Sequence, residues 1–208
     1  MTIKVVWRSA DGNFSGGTAM KLSDAQSRYQ QAVTQLQASP TAVAILKCVT
    51  EHKTEIQLVC APGAEGEMLF PGELEGLNVP TVIWDPNKYF HFYVNVAPVS
   101  NVIFGDLKSY QPAIVLLHEI GHAKQWLDNA AQHERRYHRG PEGVAEIEAE
   151  NLALHEGPVA KELGLPVRRH YQHFPNSTMM PNNQVRLLHQ PTYNADGSVT
   201  TGARNALN

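Results

Sequence analysis

The sequence predicts an α+β fold: an N-terminal helix with short antiparallel strands, then a helix-rich second half. Three observations carry that expectation. Short runs rich in β-branched residues, punctuated by Gly, Pro and Asn, fill the first 110 residues. From Pro112 onward, apolar residues recur at helical spacing. The 208 residues are 42% hydrophobic and 18% charged, enough apolar surface for a real core and too much for wholesale disorder. One body over residues 1–174 is expected, followed by an irregular tail over 175–208, where Asn, Pro, Thr, Ser and Gly replace any periodicity.

In chain order, Ile3 to Trp7 reads as a strand and residues 11–17 as turn chemistry. Ser23 followed by Gln26 resembles a capping box. Ala25, Tyr29, Ala32, Val33 and Leu36 then share one helical face, until Ser39-Pro40 stops the helix. Val43 to Val49 is rich enough in β-branched residues for a strand, with a helix as the alternative. Ile56 to Cys60 reads as a strand and residues 61–79 as a loop. Thr81 to Trp84, Phe90 to Val96 and Val102 to Phe104 complete the strands.

Charge and composition exclude several classes. A net charge of −3 argues against a nucleic-acid footprint. No apolar run approaches the roughly 18 residues of a membrane helix, and the N-terminus lacks the apolar block of a signal peptide. Cys48 and Cys60 form no disulfide framework, and both are expected as buried thiols. Histidine is the unusual count: eight of the ten lie in the C-terminal half.

The decisive segment runs from Pro112 to Trp126. Pro112 suits the first turn of a helix, where its missing N–H costs nothing. Ile114 to Leu117 is apolar on every side, so this helix should be buried. Into it come His118 and His122, four apart and therefore on one face. Two imidazole nitrogens so placed can meet one Zn²⁺ at about 2.0–2.1 Å. Glu119, on the adjoining sector, can reach a water at that metal and move its proton to a leaving amine. Gly121 is expected to let another backbone or a substrate come close beside the site. By composition, His-Glu-x-x-His is expected by chance only ~0.03 times in this chain.

Zinc needs a third protein ligand and an open position. A second helix opened by Pro141 offers Glu142, Glu146 and Glu150 along one stripe, while Glu148 is expected to face away. One of these glutamates would ligate, and a neighbour one turn away would orient a ligand histidine. His133, His138 and His155 are rival ligands, the first two in a polar connection that reads as an exposed loop or helix end. Farther on, Arg168 and Tyr171 follow a Gly-Leu-Pro break and could donate to an oxyanion.

With these residues in hand, the chain resembles the NleD-like zinc metallopeptidases, small bacterial effector proteases related to toxin domains of Rhs/YD-repeat proteins. The resemblance rests on Thr81 to Pro86, Leu116 to Ala123, Glu150-Asn151 and Gly164 to Tyr171, about half the chain. It implies a small zincin-like, gluzincin-type fold. It further implies endopeptidase action on a protein substrate such as a signalling protein of a target cell. It favours Glu150 as third ligand and Arg168 and Tyr171 as transition-state donors. The acidic residue the family pattern places seven positions before the Glu-Asn pair is Gly143 here. More distant gluzincins would instead make Glu146 the ligand and Glu150 its support. The expectation is thus a monomeric, zinc-dependent endopeptidase, independent of nucleic acid and membrane. It would be a secreted effector without a cleavable leader, or a cytoplasmic enzyme. The alternative class is a non-catalytic, metal-stabilised protein-binding module.

Overall fold

A computed structural model describes residues 3–6, 20–64, 66–73, 77–99 and 102–168, together with four short strands after residue 176. The chain is α+β and divides into two compact units, Met1–Phe90 with Ser109–Val167, and His91–Lys108 with Arg168–Asn208.

The first unit carries a small mixed sheet of β1 (Lys4–Val6), β2 (Gln57–Cys60), β3 (Glu67–Leu69) and β4 (Thr81–Trp84), in the order β1-β2-β4-β3. The expected antiparallel scaffold is corrected here. β1 with β2 and β2 with β4 are parallel, and only β3 runs antiparallel, against β4. The reason is the connection between β1 and β2. It holds two helices, α1 (Leu22–Leu36) and α2 (Pro40–Glu51), and a helical crossover returns the chain parallel to its start. β3 lies in the stretch expected as a loop, and it forms one edge of the sheet.

α1 buries Ala25, Ala32 and Leu36, with Tyr29 and Val33 half-buried beside them, as the spacing predicts. It has no capping box. Lys21 is its N-cap, and the Ser23 hydroxyl turns to Asp24. Val43 to Val49 belongs to α2, the helical alternative, and its strand reading fails. Ser39 accepts a hydrogen bond from the Ala42 N–H at 3.0 Å, and Pro40 occupies the first turn, so local start signals outweigh β-branching. The resulting face buries Ala42, Ile45, Leu46 and Val49 and leaves Cys48 exposed; only Cys60 is a buried thiol.

α3 (Pro112–Asp128) is the central element, packed against α1, α2, β3 and β4. Pro112 sits in its first turn, and the Trp84 indole N–H donates to the Pro112 carbonyl at 2.9 Å, fixing the helix start on β4. Ala113, Ile114, Leu116, Leu117, Ile120 and Ala123 are all buried, so the helix is enclosed as expected.

Next come α4 (Ala130–Tyr137) and α5 (Pro141–Asn151). A π-turn (Leu152–Glu156) leads from α5 into α6 (Gly157–Glu162). α4 lies in the connection expected to be exposed. The Asn129 side chain caps it through the Gln132 N–H at 3.1 Å, and its His133 is buried. On α6, the Glu162 carboxylate accepts from the Thr41 N–H at 3.0 Å and from the Ser39 and Thr41 hydroxyls, tying α6 to the start of α2.

The second unit holds a four-stranded sheet in the order β5-β6-β8-β7, formed by β5 (Phe90–Val99), β6 (Val102–Tyr110), β7 (Ser177–Met179) and β8 (Val185–Leu187). β9 (Thr192–Tyr193) and β10 (Val199–Thr200) pair separately. The segment expected as an irregular tail therefore contributes strands. The turn chemistry over residues 11–17 lies outside the described residues.

Candidate metal centre

The histidines of α3 meet as their spacing requires. His118 Nε2 and His122 Nε2 face each other at 3.1 Å, both side chains buried. The carboxylate that joins them is Glu148, whose oxygens lie 3.2 Å from His118 Nε2 and 3.3 Å from His122 Nε2. Four donors set tetrahedrally about zinc at roughly 2.0–2.1 Å stand about 3.3 Å apart. Each imidazole nitrogen faces its own Glu148 oxygen at about that spacing, and one ligand atom from each of the three residues lies within 4.8 Å of the others. Among the described residues, His118, His122 and Glu148 form a buried group able to hold a metal ion.

The donor chemistry passes the same test. His118 Nδ1 lies 2.8 Å from Glu156 Oε2, and His122 Nδ1 lies 3.0 Å from Gln125 Oε1. Both partners are acceptors and favour a proton on each Nδ1, which leaves each Nε2 a lone pair, while the Asn151 amide nitrogen also lies 3.3 Å from His118 Nδ1. A carboxylate completes the set, and Glu148 Oε2 takes no hydrogen bond among the described residues. Lone pairs converging in a buried space call for a cation. Burial works against charging either partner, yet the Glu148 and Glu156 carboxylates hold His118 well above the usual histidine range. The two imidazoles likewise hold Glu148 below the usual carboxylate range. In the absence of metal, a proton can serve as that cation.

The third carboxylate therefore differs from both expected ones. Glu150 pairs with Arg136, and Glu146 pairs with Arg139 on the outer side of α5. The acidic stripe does have compensating cations, Arg136 of α4 and Arg139 of the turn that follows it. Glu148, expected to face away, is on the inner side because α4 covers the opposite face of α5 and claims the stripe.

Glu119 is buried beside the group. Burial raises its carboxyl above the usual range, the imidazoles of His118 and His122 oppose that, and the charges of Glu148 and Glu67 add to it. A Cβ built on Gly66, just ahead of β3, would stand 2.9 Å from Glu119 Oε1, so the backbone leading into the edge strand passes close to this carboxylate.

Glu156 is the residue that sequence spacing could not reveal. Eight residues of α-helix turn through about 800°, which would leave it about 80° round from Glu148. The π-turn absorbs one residue and cuts the offset to about 20°, so both glutamates serve His118. Pro158 accounts for the turn. It has no N–H to give the Leu154 carbonyl, and its ring would press on that carbonyl in a straight helix.

Asn151, fully buried, donates to the His118 carbonyl at 2.9 Å and lies 2.9 Å from His155 Nδ1. A Cβ at Gly121 would overlap the Asn151 amide oxygen, so the group that approaches this glycine is the Asn151 side chain. The rival ligands lie elsewhere. His155 is engaged by Asn151, His133 packs edge-on to Phe70 at 5.1 Å, and His138 is exposed. Arg168 is buried and belongs to the second unit. Tyr171 lies outside the described residues.

Comparison with protein-family models, with curated proteins and with solved structures returns no match.

Proposed function

We propose that the chain is a zinc-dependent endopeptidase, with His118, His122 and Glu148 as metal ligands and Glu119 as general base. The observation that carries the reading is the convergence of His118, His122 and Glu148, one ligand atom from each within 4.8 Å of the others, with the Glu119 carboxylate buried beside them. Three protein ligands leave a position open, whereas structural zinc sites close with four. A zinc ion bound there would supply Lewis acidity to a scissile carbonyl and acidify a water.

The chain's own part follows from its geometry. Glu119, with its proton affinity raised by burial, takes a proton from the attacking water on its carboxylate and returns it to the departing amine. Glu156 keeps the proton of His118 on Nδ1, and the enclosed α3 holds the ligands rigid. β3 stands at the sheet edge near Glu119, where an extended peptide could add as an antiparallel strand. That arrangement suits an internal peptide bond of a protein substrate. The resemblance to effector peptidases extends the proposal to a signalling protein of a target cell.

The test is Glu119→Gln. It should retain one zinc per chain and cut a protein substrate at least about 100-fold more slowly than wild type. Wild-type turnover by this variant would refute the assignment.

A further inference from the structure

Gln125, nearly buried on α3, makes two bonds that no ligand role accounts for. Its Oε1 lies 3.0 Å from His122 Nδ1, and its Nε2 donates to the Ile147 carbonyl at 3.0 Å. Ile147 immediately precedes Glu148. One amide therefore touches the ring of a ligand on α3 and the backbone that carries a ligand on α5. The two ends demand opposite chemistry: an acceptor toward the imidazole N–H and a donor toward the carbonyl. A carboxamide offers both groups on one small planar unit that does not titrate, and Asn is a methylene shorter than Gln. A glutamate would serve His122 but could not donate to Ile147 while ionised.

We infer that Gln125 is a positioning residue that locks the spacing between His122 and Glu148, and so sets the opening of the metal site. The inference rests on the metallopeptidase reading. His118 is held differently, by the Glu156 carboxylate arriving from the same helix as Glu148. Gln125 is the matching support for the second histidine, and it crosses between helices through a neutral group.

The experiment uses the full chain and its Gln125→Met and Gln125→Glu variants. Zinc affinity is measured by chelator competition, the visible spectrum after cobalt substitution, and thermal unfolding of the metal-free forms. Methionine nearly matches glutamine in volume and removes both bonds. It should weaken zinc binding about 10–100-fold and alter the cobalt spectrum, with the metal-free form still folding cooperatively at a lower midpoint because the buried His122 N–H loses its acceptor. Glutamate keeps the contact to His122 and loses the one to Ile147, so it too should change the cobalt spectrum. A Met variant with wild-type affinity and spectrum overturns the inference and leaves the metallopeptidase reading standing. A Glu variant with the wild-type spectrum overturns the bridge to Ile147. A wild-type chain that takes up neither zinc nor cobalt overturns both the inference and the reading beneath it.

Discussion

Glu156 Oε2 lies 2.8 Å from His118 Nδ1, reaching it from eight residues beyond Glu148 on the same run of helix. A carboxylate behind a metal-binding imidazole fixes its tautomer and makes its far nitrogen a better donor. Glu156→Gln keeps the size and removes the charge. Zinc affinity should fall about 10–100-fold, as read by competition with a chelator. An unchanged affinity would show that the contact is packing alone.

The three glutamates of α5 should separate cleanly. Glu148→Ala should abolish stoichiometric zinc binding. Glu150→Ala and Glu146→Ala should leave it intact, because both carboxylates are bound to arginines on the outer face. Neither outer substitution should measurably lower the unfolding midpoint, because solvent screens these ion pairs. Metal analysis of the three purified variants decides the matter.

Gly121→Ala tests the contact between α3 and α5. The added methyl would overlap Asn151, which is bonded to the His118 carbonyl and to His155. Overpacking of this kind costs about 1–3 kcal/mol, so the unfolding midpoint in urea should drop by a corresponding amount. Zinc affinity should fall with it, since Asn151 cannot move without disturbing the backbone of a ligand.

Acid should weaken the fold through two histidines outside the ligand set. Burial lowers His133 to about 4, helped by the charges of His122 and Arg136. Burial likewise lowers His155 to about 4, helped by Lys124 and His122. Unfolded histidine titrates near 6.5, so between that value and about 4 the unfolded chain binds more protons than the folded one. Stability is then present above about 6.5 and is lost as pH falls, by at most about 1.4 kcal/mol per pH unit for each histidine. His133→Leu should flatten that slope, with no loss at neutral pH, because neither ring nitrogen has a hydrogen-bond partner among the described residues. Urea unfolding of both forms at pH 7 and pH 5 checks the difference.

The sequence made the centre of the site legible because a helix repeats its geometry. His118 and His122 share a face by spacing alone, Pro112 marks the helix start, and the unbroken apolar run announces burial. The inward carboxylate of α5 is not legible because the face turned inward depends on where α4 packs, and Arg136 of α4 with Arg139 just beyond it settle that. Glu156 was hidden because counting at 3.6 residues per turn fails across a π-turn. Reading Val43 to Val49 as a strand removes a helix from the crossover between β1 and β2, and with it the signal for a parallel pair.

Gly143 has a further consequence. Any side chain there would run into the Arg136 carbonyl, so α4 and α5 touch backbone to backbone at that point. An acidic residue at this position and so tight a helical hairpin are mutually exclusive. A carboxylate at 143 is closed to this architecture, and the carboxylate that faces the two imidazoles is Glu148, five places along the same rod.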